Sequence, residues 1–475
     1  MKNPSSYLMA ALPSFVQHMD GVLGDHPTYM NSESINKFLH SNVNKFLSSY
    51  GIAFQRGKPV TDKINTNYQK VFNKFLEKEY LKGCEITIDS GGFQVQTGYI
   101  QKDDTSKLIK LYHEFLEQNY NNFHYAFVLD LAPGSTSSIY ENWKEMERYN
   151  YESYSRSAEL PQEARDKILY IHHFRTPQIN NLWNKMLFED NMADPFKNFA
   201  TGGLVSFAGG SQKCPVIMYT VPLIAILLYA KQRGLKKFRF HVLGGSEWKD
   251  IVFHKLAEHH IKKVHDIDVE ITYDSSSIFK LLALGRYIFI PDWETGKLRK
   301  MSIRSDSLHM NYNQNFSNED IFYKFLNDAT VPYGMKKLDP LTDPIYADGN
   351  IKEGDKFVND KTGSMTRLSY MHGIFHMLKL FREVDNYSKQ VVKEIYPIYE
   401  AGDVELFDRS VFKIMQNFNN GKISNRLIHR SSTIYSSLKE LENLDLEKTD
   451  WYVNHYMAGD ECKKFSKRDQ ELDTF

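Results

Sequence analysis

Between residues 85 and 275 short β-forming runs alternate with helical stretches six times, and each run stops at a residue equipped for chemistry or for close backbone approach. Ile86-Thr87-Ile88 ends in Asp89, Tyr125 to Leu129 in Asp130, and Ile168 to Ile171 in His172-His173. Phe199 to Thr201 ends in Gly202-Gly203, Phe238 to Leu243 in Gly244-Gly245, and Val269 to Tyr273 in Asp274. β-Branched and aromatic residues fit a pleated surface. Between the runs the period changes: Leu108, Ile109, Tyr112, Phe115 and Leu116 share one face of a helix over 105–118. Helices over 141–167, 180–187, 215–233 and 248–263 complete the alternation, which predicts an α/β fold with a parallel sheet. A short N-terminal strand at 51–54 and Tyr287 to Ile290 bring the strand number near eight, so a closed (β/α)8 TIM-like barrel is expected. The C-terminal lip of such strands is where barrel active sites are built. Asp89, Asp130 and Asp274 are therefore site candidates, although Asp at a strand end also caps turns with its own side chain.

Outside this block, 32–50 reads as a helix with Ser32 as cap and Gly51 as stop, and 61–81 as a second helix. Pro291 to Gly296 reads as the turn of a hairpin joining 287–290 to 298–303. Residues 331–365, rich in Pro, Gly and Asp, read as a loop or linker, and the pattern from 366 onward is helical, notably over 378–384, 404–418 and 427–444. The expected organisation is a barrel domain over 1–330, the linker, and a helical C-terminal region over 366–475. A chain of 475 residues has room for it.

Charge restricts the partners. Lys plus Arg and Asp plus Glu both number 59, so no global basic field advertises a polyanion, and any nucleic-acid surface must be local. Lys297, Arg299, Lys300 and Arg304 form such a patch on the expected hairpin. They serve either as phosphate contacts or as a charged edge that repels other strands. The three cysteines, Cys84, Cys214 and Cys462, lie far apart and form neither a disulfide framework nor a paired metal motif. The first residues lack an apolar run behind Lys2, and the most apolar stretch, 216–230, is too short to span a bilayer. A cytoplasmic protein with no membrane partner is expected.

Asp89-Ser90-Gly91-Gly92-Phe93-Gln94-Val95 resembles the signature of the guanine transglycosylases, which exchange a guanine in nucleic acid for a 7-deazaguanine. Phe127 to Asp130, Thr201 to Leu204, Leu243-Gly244-Gly245 with Asp250-Ile251, and Ile271 to Ser275 are similar to further family motifs. They follow the family's order over about residues 85–310. The resemblance implies Asp274 as covalent nucleophile and Asp89 as general acid and base, with a retaining double displacement at C1′. It also implies Asp130 reading guanine N1–H and N2–H, amides around Gly202 and Gly203 meeting O6, and Phe93 and Leu243 sandwiching the base. His173 stands where the family usually has glutamine. It serves either a contact to O6 or a 7-substituent, or an ordinary packing role.

The family's tRNA enzymes hold zinc with three clustered cysteines and a histidine after the barrel. His372 resembles that histidine, but residues 305–370 contain no cysteine. The expectation is therefore no metal and no cofactor, because a structural zinc needs four clustered ligands. The same departure, with the long C-terminal extension, makes the chain more similar to the DpdA-type branch of phages and genomic islands, which modifies DNA, than to the tRNA branch. A phage-encoded member would act in the host cytoplasm. DNA is the expected partner with tRNA as the alternative, and a homodimer or a partner protein is left open. A non-catalytic nucleic-acid-binding subunit is the rival of another class, and it has no need of both Asp89 and Asp274.

Overall fold

The computed structural model describes residues 5–10, 12–25, 31–96, 98–131, 143–173, 177–202, 215–245, 248–275, 288–292, 297–301, 364–418 and 425–447. Eight parallel strands close a barrel in chain order: β1 (Tyr7–Met9), β2 (Lys45–Ser49), β3 (Glu85–Asp89), β4 (Tyr125–Phe127), β5 (Ile168–His173), β6 (Asn198–Gly202), β7 (Lys237–Val242) and β8 (Asp268–Ser275). The ring shuts where β1 pairs with β8, Leu8 opposite Asp274. Interleaved helices, among them Thr105–Asn119, Pro177–Phe188, Pro215–Gln232 and Trp248–His265, make this the (β/α)8 barrel expected from the alternation.

Two barrel strands are not those the sequence pointed to. Residues 51–53 belong to a 3-10 turn, Tyr50–Ala53, which Phe54 caps, and the strand is Lys45–Ser49 just before it. The expected helix over 32–50 stops at Ser41 and is capped by Asn31, whose side chain accepts from the Ser34 N–H at 2.9 Å. Tyr287 to Ile290 adds no barrel strand either. Ile288–Asp292 (β9) pairs antiparallel with Lys297–Met301 (β10) as a separate hairpin, the one read from the turn at 291–296. β1 supplies the remaining strand, and at three residues it is too short to display a period. The helix expected over 61–81 runs from Lys63 to Leu76 and is followed by a 3-10 turn at Glu79–Leu81.

Strand alternation decides which side chains reach the lumen. Arg239 on β7 pairs with Glu85 on β3. Those strands are not neighbours, so the pair crosses the barrel interior. Residues 85, 87 and 89, 239, 241 and 243, and 270, 272 and 274 therefore face inward. Arg239 also meets Glu270 at 2.8 Å and covers the Tyr125 ring at 3.9 Å, while Lys45 pairs with Glu270. Burial alone would raise the Glu270 carboxyl, but Lys45 and Arg239 overcome it and bring it down to about 2. This charged, closed floor lies at the N-terminal ends of the strands. Phe127 and His241 pack above it with ring centroids 4.9 Å apart, and the mouth lies above them.

Outside the ring, the long helix Ser364–Glu400 lies against Leu12–Asp25 and Trp248–His265, at the seam of β1 and β8. Phe381 stacks on Tyr7 with centroids 3.7 Å apart and planes at 3°. Asp385, buried, accepts from the Ser5 hydroxyl at 2.5 Å, the Ser6 N–H at 2.6 Å and the Tyr273 hydroxyl at 2.9 Å. The first C-terminal helix thus forms part of the barrel wall. Helices Val404–Phe418 and Asn425–Asn443 pack onto it and its neighbours, with Tyr435 against Tyr399 and Phe407. The expected linker lies outside the described residues as far as 363, and so does the tail beyond 447. No helix among the described residues is long and apolar enough to cross a membrane.

Candidate active site

Asp89 closes β3 and Asp274 lies near the end of β8, while Asp130 follows β4 by three residues. His173 and Gly202 end β5 and β6, and Leu243 follows β7. All are at the C-terminal mouth, so the strand-end residues singled out from the sequence share one end of the barrel.

The paired glycines after Asp89 are required by the backbone around them. Gly91 has φ +81°, and a Cβ there would lie 2.9 Å from the Gly51 backbone. At Gly92 it would lie 2.1 Å from the Asp130 carbonyl oxygen. Only glycine lets the β3 turn lie on the turns after β2 and β4 at this distance. The close approach at Gly91 and Gly92 is thus to the chain itself. Asp130 is fixed from behind by Asn150, wholly buried, whose side chain accepts from the Leu131 N–H at 2.8 Å and donates to the Leu131 carbonyl at 3.1 Å.

Burial pushes the Asp89 carboxyl up to about 6. A hydrogen bond from Ser49 and one from the Gly91 N–H oppose the rise, while the negative charges of Asp130 and Asp274 add to it. Asp89 can therefore hold or release a proton near neutrality, as an acid–base group must. Ser49 lies opposite Asp89 in the register of β2 and β3.

Asp274 is held through a single oxygen. Its Oδ1 accepts from the Gly244 N–H at 2.7 Å and lies 3.2 Å from His241 Nε2. Gly244, with φ +77°, turns that amide toward it. Among the described residues Oδ2 has no hydrogen-bond partner. Across the mouth, His173 Nε2 lies 2.5 Å from Asp130 Oδ2, so one of the two oxygens expected to read a base is already engaged. The His173 ring stands edge-on to Trp183 at 4.9 Å. Its other edge faces Gly202, where a Cβ would lie 2.6 Å from His173 Cε1 and 3.3 Å from Leu243 Cδ1. His173, Gly202 and Leu243 are therefore mutual neighbours.

No family model matches this chain, and neither does any curated protein or solved structure.

Some expected site residues fall outside this picture. Phe93 lies in the short helix Gly92–Gln96, of which only the backbone is described at that position. Gly203 and Arg304 lie outside the described residues. Lys297, Arg299 and Lys300 are in β10, whose hairpin lies beside helices Ser364–Glu400 and Val404–Phe418. Among the described residues no group of three or more His, Cys, Asp or Glu could hold a metal ion. Sequence reasoning missed Ser49, Asn150 and His241. His241 alone carried a signal, its place two residues before Leu243 on an inward-facing run. Ser49 and Asn150 sit in segments read as plain helix.

Proposed function

We propose that the chain is a transglycosylase exchanging guanine in DNA for a 7-deazaguanine base by double displacement. The observation that carries the reading is the pairing, at one mouth, of a carboxyl raised to about 6, Asp89, with a second carboxylate, Asp274, anchored through one oxygen. One group exchanges protons near neutrality and the other presents a nucleophile, the division of labour this reaction needs. Asp274 Oδ2 attacks C1′, the C1′–N9 bond breaks, and the departing guanine takes a proton from Asp89. The incoming base then returns a proton to Asp89 as its N9 displaces the carboxylate, and the C1′–Oδ2 electron pair goes back to Asp274. Asp130 Oδ1 and His173 would read the base edge, with Leu243 against its face.

The preference for DNA rests on the resemblance and on the absence of cysteine between 305 and 370. C1′ and the base edges are hindered inside a duplex, so the target nucleotide would leave the stack.

The test is incorporation of radiolabelled guanine or a 7-deazaguanine into duplex DNA, single-stranded DNA and tRNA in parallel, with Asp274→Ala as control. Label entering DNA, and lost in Asp274→Ala, supports the reading and the nucleophile together. Label in tRNA alone makes the chain a tRNA enzyme. No label anywhere, with nucleic acid still bound, replaces the reading with that of a binding subunit.

A further inference from the structure

His241 touches Asp274 from below but has no part in the exchange set out above. Its side chain is wholly buried on β7, with Nε2 3.2 Å from Asp274 Oδ1 and Nδ1 2.9 Å from Thr272 Oγ1. Thr272 and Asp274 are successive inward residues of β8, and His241 lies opposite Thr272 in the β7–β8 register.

The proton positions follow from what each partner can do. An ionised carboxylate only accepts, so the shared proton of the His241–Asp274 contact belongs to Nε2. Burial holds the imidazole below its ordinary range although Asp274 pulls the other way, which keeps the ring neutral. Its Nδ1 then carries a lone pair and accepts from the Thr272 hydroxyl, which as donor or acceptor adapts to the tautomer that Asp274 requires. Facing the ring are Asp274 and Thr272 from β8, Phe127 from β4, and the charges of Arg239 and Glu85 from the floor. With the Gly244 N–H at 2.7 Å, two donors converge on Oδ1 and none of the described residues binds Oδ2.

We propose that His241 is a positioning residue for Asp274, holding Oδ1 so that Oδ2 faces the reacting carbon and favouring the free carboxylate over its ester. The proposal rests on the transglycosylase reading for its kinetic consequence. When the C1′–Oδ2 bond breaks, the electron pair returns to the carboxylate and negative charge spreads onto Oδ1, where both donors already point. In the glycosyl ester that oxygen is a weaker acceptor. Loss of the His241 donor therefore slows breakdown of the covalent intermediate more than its formation.

His241→Phe keeps a ring in the same space without a donor, and His241→Gln restores an N–H near the place of Nε2. For His241→Phe, the exchange kcat falls roughly tenfold, as expected for one hydrogen bond to a charged group. The KM for the incoming base stays within about twofold, glycosyl-enzyme accumulates on acid quench, and His241→Gln recovers most of the rate. A native rate in His241→Phe, or a joint change of kcat and KM without accumulated intermediate, overturns the proposal. A second readout needs no turnover. Imidazole 15N shifts of the unmodified protein, assigned with His241→Gln, should report the Nε2–H tautomer, and an Nδ1–H tautomer overturns the geometry even if exchange is observed. Absence of exchange in the unmodified protein with the Nε2–H tautomer present fails the function reading alone and leaves the His241 hydrogen bonding in place.

Discussion

Replacing Asp89 by asparagine should stabilise the fold at neutral pH while removing acid–base chemistry from the mouth. The carboxyl is raised from 3.8 to about 6, first by burial and then by Asp130 and Asp274. At about 1.4 kcal/mol per pH unit, this corresponds to about 3 kcal/mol by which the fold favours the protonated form. Asp89 is only partly buried, so solvent screens part of it and about 2–3 kcal/mol is expected. The unfolded chain releases this proton near pH 4 and the folded chain only near 6. The stabilising preference is therefore complete below pH 4, fades through the interval, and is absent at pH 7 and above. Asparagine never ionises and escapes that loss. Urea unfolding of both proteins should show Asp89→Asn more stable by about 2–3 kcal/mol at pH 8 and the two nearly equal at pH 3.5. Equal stability at pH 8, or a difference that does not change with pH, would refute the claim that Asp89 is held partly protonated by its surroundings.

Several other consequences are open to measurement. In the proposed exchange the departing guanine takes its proton from Asp89, so the single-turnover rate should fall about tenfold per pH unit above about 6, and a flat profile between pH 6 and 8 would count against Asp89 as the acid. Gly202→Ala puts a methyl 2.6 Å from His173 Cε1; overpacking of this kind costs about 1–3 kcal/mol, and guanine affinity measured by calorimetry should fall with it. Arg239→Met leaves Glu85 and Glu270 without the guanidinium between them, a loss of about 3–5 kcal/mol in urea. In the unmodified protein the Glu270 contribution is present above about pH 4.5 and is lost as the pH falls toward 2, because its carboxyl is depressed to about 2. Asp385→Ala strands two buried hydroxyls and an amide, and about 3 kcal/mol or more of stability should go with them.

The barrel was legible where strands were long and ended in conspicuous residues. Ile168–His173 and Asp268–Ser275 carry enough apolar positions to announce themselves. Tyr7–Met9 does not, because three residues display no period, and its place is set by pairing with strands 37 and 266 positions away. Lys45–Ser49 was hidden by its own lumen chemistry: Lys45 serves the floor and Ser49 serves Asp89, so the strand lacks the apolar alternation a reader seeks. The acids of the candidate site could be read from the sequence as residues at or just past strand ends. Their mutual arrangement could not, since the engagement of Asp130 by His173 and of Asp274 by Gly244 depends on turns that carry no one-dimensional pattern.

The seam held by Asp385 sets the order in which this protein can be finished. Tyr273 and the carboxylate that receives its hydroxyl are 112 positions apart, and Ser5 waits for the same group across 380. On the ribosome, at about 5–20 residues per second, the eighth strand would precede its covering helix by roughly 6–22 s. During that interval Tyr7 and Tyr273 would have no Phe381 to cover them, and the first and last strands would present an unsealed joint to other nascent chains. A nascent chain halted shortly before 364 would hold every acid of the mouth and still lack the wall that keeps Asp274 in register with Leu8.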